Sequence, residues 1–477
     1  MVEIWYSEHS GEEAEFMRKL WKAAVLSVVL CMGLIGCEKD LSEPGKDAAD
    51  QIEEDAQNQQ EQEPEAEAEV LSDLEAEITW WTYPIFVQDQ GGEAGGYEQQ
   101  LIEEFQKYYP NIKVQLEVLD YENGPARVED AIVAGAVPDV LFDGPERISG
   151  YAKKGLLSDL SDLFTEEHLN DFVSAGVLSA CQNEGSYTMY PLSMVNYVMA
   201  FNKEMLETCG AIDLMNREGA RTWDTETFAQ VIRRLNNSGF KAGALHCSGV
   251  SGDYATRSFL TNLYDVPLMA EDLSAYTFQG DGAVATLTKV KEWIGAGWML
   301  NGSGETGAST VEAFVNGEVS YTLLWSLPQA ISNRAVLEQN GIQVVEMPYP
   351  SQDGTPSLEY IMNGFCVFES QDADRLQASQ YFIDFICNGE NAAEHVVRTG
   401  ALPARKSLTD VYQGNEEALF YEALTPYSGL YTQKVKGFEA MRVYWYQMIA
   451  EVLNGEYGPQ AAVEGYAEYA NETLKEE

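Results

Sequence analysis

Tyr83 and the pair Asp143-Gly144 stand where strands should end, the first places to look for chemistry. Ile78-Thr79-Trp80-Trp81-Thr82-Tyr83 is β-branched and aromatic and is closed by Pro84. Val140-Leu141-Phe142 is a short apolar run introduced by Pro138-Asp139. In α/β sheets, ligands sit outside the carboxyl ends of strands, so both positions face a prospective site. The chemistry there reads as binding. Gly249-Val250-Ser251-Gly252 misses a nucleophile elbow by one residue, and adjacent His246-Cys247 should point to opposite faces. A two-carboxylate glycosidase needs one chosen pair, and 77 Asp plus Glu offer no such choice. His9, His168, His246 and His395 lack metal-ligand spacing, and Asp281-Gly282 and Asp353-Gly354 lack the alternating acids of a calcium loop. The run Gly91 to Gly96 is not followed by the Lys-Ser/Thr of a phosphate loop. No metal and no cofactor are expected.

The elements that position these residues follow from periodicity. Leu101, Ile102, Phe105 and Tyr108 recur at helical spacing before Pro110-Asn111, and Ile112, Val114, Leu116 and Val118 alternate as a half-buried strand. Val128, Ala131 and Ile132 predict another helix. Strand, helix, strand, helix, strand predicts an α/β layer on a largely parallel sheet. Thr222 is expected to cap a helix whose apolar face is Phe228, Val231, Ile232 and Leu235, ended by Asn236-Asn237-Ser238-Gly239. A second strong helix is expected over Ala373–Ile386. Asn301-Gly302-Ser303-Gly304 reads as a loop, on the surface or along a cleft.

Charge and length narrow the function classes. The 477 residues carry 29 Lys plus Arg against 77 acids, a formal charge of −48, which argues against nucleic acid or an anionic membrane surface as a general partner. The length predicts more than one lobe, and 45% hydrophobic content is enough to bury cores. Arg18, Lys19 and Lys22 precede an apolar run, Ala23 to Ile35, too short to span a membrane but suited to a signal peptide, with Met17 a plausible start. Leu34-Ile35-Gly36-Cys37 resembles the bacterial lipobox, which implies acylation of Cys37. Residues 38–77 hold sixteen acids against Lys39 and Lys46, a self-repelling tether. Cys181, Cys209, Cys247, Cys366 and Cys387 remain, an odd number without a C-x-x-C, and read as small buried hydrophobes rather than a disulfide framework.

Several runs carry a family resemblance. These are Tyr109-Pro110-Asn111-Ile112-Lys113-Val114, Ala134-Gly135-Ala136-Val137-Pro138-Asp139-Val140 and Lys154-Gly155-Leu156-Leu157-Ser158-Asp159-Leu160. Tyr190-Pro191-Leu192 leading to Phe201-Asn202-Lys203, Thr222-Trp223-Asp224, Phe314-Val315-Asn316-Gly317-Glu318 and Gly400-Ala401-Leu402-Pro403-Ala404-Arg405-Lys406-Ser407 follow in order. Together they are similar to the extracellular solute-binding proteins of sugar ABC importers (family 1, maltose-binding-protein-like lipoproteins). One departure stands out: Trp325-Ser326-Leu327 lies where many members carry Gly-x-Trp, so the ring is displaced by two residues and both cleft and core remain open to it.

The resemblance implies a two-lobed periplasmic-binding-protein type II α/β fold with hinge crossings and an inter-lobe cleft. Residues 1–36 would form the signal region and 37–77 the lipidated Cys and linker. The first lobe would hold 78–194 plus 364–402, and the second 195–363 plus 403–477, with crossings near Ser193–Val198, Met362–Cys366 and Leu402–Ala404. Neutral sugars need ring faces and a few fixed polar groups. The expected contacts are Trp81, Tyr83, Asp143, Gly144, Tyr197, Trp325, Asn363, Gly364 and Arg405, while Trp80, Trp223, Trp293 and Trp298 read as core. The implied protein is a lipid-anchored monomer that hands a carbohydrate to an ABC permease. A polyamine or other cation in the same fold, a secreted glycoside hydrolase and a ligand-free scaffold are the rivals.

Overall fold

The computed structural model describes residues 70–83, 95–120, 123–249, 252–408 and 411–475. The basic flank, the apolar run, Cys37 and most of the acidic linker lie outside them. Ala68–Glu477 forms one unit.

Among the described residues thirteen strands run through it: β1 (Ala76–Thr82), β2 (Ile112–Val118), β3 (Val140–Asp143), β4 (Gln182–Asn183), β5 (Ser186–Tyr187), β6 (Tyr190–Asn196), β7 (Val198–Asn202), β8 (Ala244–His246), β9 (Leu300–Gly302), β10 (Tyr321–Trp325), β11 (Val344–Met347), β12 (Tyr360–Val367) and β13 (Leu402–Pro403). A six-stranded sheet takes the order β13-β6-β12-β3-β1-β2. Three of its strands, β3, β1 and β2, are parallel, with Trp80 opposite Leu116 and Val140. The expected parallel layer is therefore only half of the sheet, because β12 runs antiparallel to both β3 and β6. The second half of the molecule is built on β10-β7-β11, all antiparallel, and on the parallel pair β8-β9.

Helices cover the six-stranded sheet where the sequence places apolar stripes. Helix Gly96–Tyr108 buries Leu101, Ile102 and Phe105, and Phe105 meets Phe382 and Phe385 of helix Ala373–Cys387 edge-on at 5.1 and 5.5 Å. Trp80 packs on the same side, 5.1 Å from Phe382. Strand alternation then sends Trp81 and Tyr83 to the opposite face. Helix Thr225–Asn237 presents Phe228, Val231, Ile232 and Leu235 as expected, but its cap is Asp224, which accepts from the Thr227 N–H at 2.6 Å. The N-cap position lies two residues beyond Thr222.

Passages between the two halves differ from the expected ones in an instructive way. Between β6 and β7 only Tyr197 intervenes, so the first passage is a single residue. β12 lies wholly in the six-stranded sheet, and the second passage is the stretch 348–359, ahead of Met362–Cys366. Asn363-Gly364 marks a register shift inside the sheet instead. A Cβ on Gly364 would sit 2.3 Å from the Tyr190 carbonyl oxygen, so only glycine fits that bulge. After β13 the chain stays with the first half, where the Ser407 N–H donates to Asp171 at 2.8 Å. Helix Glu416–Leu424 then packs on helix Leu327–Gln339, and the segment Thr425–Gly437 forms a strap across both halves. Helices Phe438–Asn454 and Pro459–Thr473 complete the second half against helix Gly280–Gly295. Asn301 and Ser303 are pinned to Leu453 and Asn454 on that outer surface, away from the passages.

Candidate functional site

One edge of the site grows from the carboxyl ends of β1 and β3. Asp143 ends β3, Gly144 and Pro145 turn the chain, and helix Pro145–Lys153 brings Arg147 back one turn onto Asp143. The Arg147 Nε–H reaches both carboxylate oxygens at 2.9 and 2.8 Å, and the Gly144 N–H donates to Oδ1 at 2.7 Å. Asp143 is only 2% exposed, and burial outweighs the guanidinium, lifting its carboxyl to about 6. The guanidinium also lies over the Tyr83 ring at 5.0 Å. Trp81, two residues back on the same face, carries Arg127 at 4.8 Å, itself paired with Glu117 at 2.9 Å. Gly124 makes room for this edge, since a Cβ there would come within 2.6 Å of the Tyr83 ring.

The other edge belongs to the second half. Tyr197, the one-residue passage, stacks on Tyr254 at 3.8 Å. Tyr254 lies in the first turn of helix Asp253–Asn262, started by Gly252 with φ of +87°. Behind the rings lies a charge quartet. Asp253 accepts from Arg257 and from Arg442 (Nε at 2.7 Å, Nη2 at 3.0 Å), while Glu359 accepts from Arg257 Nε and Nη2 at 2.7 Å. Arg257 lies over Phe438 at 5.0 Å.

The strap joins these edges. Ser428 donates to Asn196 Oδ1 at 3.2 Å, the Gly429 N–H bonds to the Leu358 carbonyl at 2.9 Å, and the Tyr431 hydroxyl donates to Glu146 at 3.0 Å. A 5.4 Å edge contact sets Tyr431 against Tyr360 at the start of β12. Arg127, Arg147, Arg257 and Arg442 each contact at least one carboxylate, and Asp143, Glu146, Asp253 and Glu359 are each already engaged. Among these described groups neither sign of charge is left over for a ligand. Ring faces and hydrogen-bonding heads are what the edges present.

The structure thus brings Trp81, Tyr83, Asp143 and Gly144 together on one edge and puts Tyr197 on the other. Trp325 lies elsewhere: it is 0% exposed, packed edge-on against Phe314 at 5.6 Å, and its indole N–H donates to Glu346 at 3.3 Å. Tyr421 donates to the same Glu346 at 3.1 Å, and burial, aided by Glu417, lifts that carboxyl to about 8. Asn363 and Gly364 form the strand bulge. Arg405 is held by Asn388 and Tyr190 within the first half, stacked over the Tyr190 ring at 5.1 Å. Sequence reasoning missed Glu146, Arg147, Tyr254, Arg257, Glu359, Tyr431 and Arg442. Arg147 and Arg257 had a local signal, the i+4 spacing of each from an aspartate, Asp143 and Asp253, at a helix start.

Comparison with known proteins supplies the family context. The family described as bacterial extracellular solute-binding protein matches residues 100–420. The sn-glycerol-3-phosphate-binding periplasmic protein UgpB of Escherichia coli K12 is 24% identical over 314 residues, 61% of this chain and 68% of its own length. Among solved structures, the cyclic alpha-maltosyl-1,6-maltose binding protein of Arthrobacter globiformis superposes with a TM-score of 0.71 at 16% identity, covering 84% of this chain and 99% of that one. MalE of Xanthomonas citri gives 0.68 at 17% identity, with 84% and 97% covered. The Listeria monocytogenes protein Lmo0181, solved with cycloalternan, gives 0.62 at 20%, with 84% and 100% covered. At these identities the structural likeness is one of fold.

Proposed function

Because this chain belongs to the bacterial extracellular solute-binding proteins, we propose that it captures an uncharged carbohydrate, an oligosaccharide by preference, between its two ringed edges and delivers it to an ABC permease. The observation that carries this reading is charge closure: Arg127, Arg147, Arg257 and Arg442 already have carboxylate partners, beside the buried rings of Trp81, Tyr83 and Tyr197 and the half-buried ring of Tyr254. A neutral polyol asks for rings and hydrogen bonds without breaking an ion pair. A phosphorylated or cationic solute would have to displace one. The ligand-contacting set is Trp81, Tyr83, Asp143, Gly144, Tyr197, Tyr254 and Arg147. Trp325, Asn363, Gly364 and Arg405 support the scaffold.

In the mechanism that follows, ligand settles on one edge and the halves close about Tyr197, the 348–359 passage and the strap. The closed form docks on the permease, and the transporter's ATPase drives release. Closure needs contacts from both halves, since a ligand shifts an equilibrium only by its differential affinity. Nothing in the site asks for bond cleavage, and capture rather than turnover fits it. Acylation at Cys37 would tether the monomer to the outer face of the membrane, with the acidic linker holding the body off the lipid; labelling with a radioactive fatty acid should mark the wild-type chain and not Cys37→Ala. Among the described residues no helix is long and apolar enough to cross a membrane.

A thermal-shift panel tests the ligand class. Neutral mono- and oligosaccharides, putrescine and glycerol 3-phosphate are compared at 20 and 500 mM salt. A neutral saccharide should raise the melting temperature with concentration and almost independently of salt. A shift by glycerol 3-phosphate or the diamine alone, lost at high salt, would overturn the reading.

A further inference from the structure

A lysine-lined cavity lies away from the ringed edges, where the strap meets the first half. A cavity of about 410 Å³ there is lined by Lys153, Lys434 and Lys436, with Ser149, Asn183 and Ser274 among its polar groups. Such a concentration of cations is unexpected in a chain with only 29 Lys plus Arg against 77 acids. The three lysines converge from two distant segments, the end of helix Pro145–Lys153 and the strap. Backbone carbonyls, not carboxylates, hold two of them in place. Lys434 Nζ donates to the carbonyls of Ser179 and Gln182 (3.0 Å for the latter), and Lys153 Nζ donates to the Lys434 carbonyl at 3.2 Å. The β4–β5 hairpin that supplies Gln182 and Asn183 turns through Glu184 and Gly185, both at positive φ, which fixes one wall. Among the described residues, Glu184 is the one acid lining the cavity.

We propose that Lys153, Lys434 and Lys436 form a binding site for a phosphate-class oxyanion at the seam between the first half and the strap. Burial disfavours the charged forms of Lys153 and Lys434; Glu184 favours the Lys153 ammonium while Lys436 opposes it, and Lys153 in turn opposes the Lys434 ammonium. A bound dianion removes that repulsion and leaves the carbonyl bonds intact. Ser149 and Asn183, already hydrogen-bonded to each other at 2.7 Å, can turn a hydroxyl or amide toward its oxygens. Since first-half and strap groups share the site, an occupied site also ties the two together. The oxyanion has two sources, free phosphate or a phospholipid headgroup at the surface beside which the tether would hold the body.

Calorimetric titration of the full chain with inorganic phosphate, at constant ionic strength set by sodium chloride, reads the site. The chain carries Cys37→Ser so that no attached lipid interferes. Saturable binding, weakened at least tenfold in both Lys153→Gln and Lys436→Gln, is expected, with unfolding midpoints in phosphate-free buffer showing that the variants fold. Co-sedimentation with phosphatidylglycerol–phosphatidylcholine vesicles forms the second arm. Lysine-dependent vesicle binding without phosphate binding assigns the site to a headgroup, and phosphate binding assigns it to the free ion. No binding in either arm, or equal binding by the variants, overturns the proposal. The saccharide panel is independent of this result, because none of the three lysines lies among the ringed edges.

Discussion

The two edges of the site use arginine in opposite ways. On the first-half edge the Arg147 side chain is 36% exposed, holds Asp143 and lies over Tyr83, so one face of the pair stays open to solvent. On the second-half edge Arg257 is 1% exposed and sealed between Asp253, Glu359 and Phe438. Each arrangement neutralises its charges, but only the first leaves polar atoms within a ligand's reach. The quartet is a clasp that joins helix Asp253–Asn262, the 348–359 passage and helix Phe438–Asn454, with Tyr254 beside it in the first turn of that first helix. Burial, more than residue type, separates support from recognition here.

Substitution at the two arginines breaks this contrast most sharply. Arg257→Met strands Glu359 without a cation and should cost about 3–5 kcal/mol of stability in chemical denaturation. Arg147→Met should cost only about 1–2 kcal/mol, since Asp143, already lifted to about 6, can take up a proton. Equal losses would erase the distinction. Next in size, Tyr254→Ala and Tyr83→Ala should each weaken saccharide binding by roughly ten- to a hundredfold, in line with about 1–3 kcal/mol for a lost ring face. Trp325→Phe should leave affinity within about twofold while lowering stability by about 1 kcal/mol through the lost bond to Glu346.

The same ring pair shows what could be read from sequence. Tyr83 is legible from its place at a strand's carboxyl end and Trp81 from lying two residues before it in the same strand run, both local signals. Trp325 has the same residue type at a strand end, yet its neighbours Phe314, Glu346 and Tyr421 come from three other segments, and no spacing reveals them. The strands from β1 to β3 and the helix Ala373–Cys387 were legible because their apolar periods are self-contained. The second passage was not, since Asn363-Gly364 resembles a break and only the close approach of β6 makes it a bulge. Arg257 finds Glu359 across 102 residues and Tyr431 finds Glu146 across 285, distances at which only the assembled fold decides partners.

Smaller effects sharpen the picture. Folded Glu346, lifted to about 8, keeps a proton that the unfolded chain gives up near about 4.3. Its contribution to stability is therefore complete at low pH and fades as pH rises through 8. Glu346→Gln, neutral throughout, should flatten the pH 5–9 stability profile by on the order of 1–2 kcal/mol. A profile that keeps its slope would place the titration elsewhere. Smallest of all, Tyr431→Phe removes the strap's bond to Glu146 and should loosen ligand binding about threefold to tenfold, equivalent to about 1 kcal/mol.

Small-angle scattering of the full chain, before and after saturation with a neutral oligosaccharide that raises its melting temperature, tests the central claim most directly. The radius of gyration should fall on binding, by the same amount at low and high salt, and stay unchanged in Tyr254→Ala at the same ligand concentration. A stabilising sugar that leaves the wild-type scattering curve unaltered would contradict closure of two ringed edges on an uncharged guest.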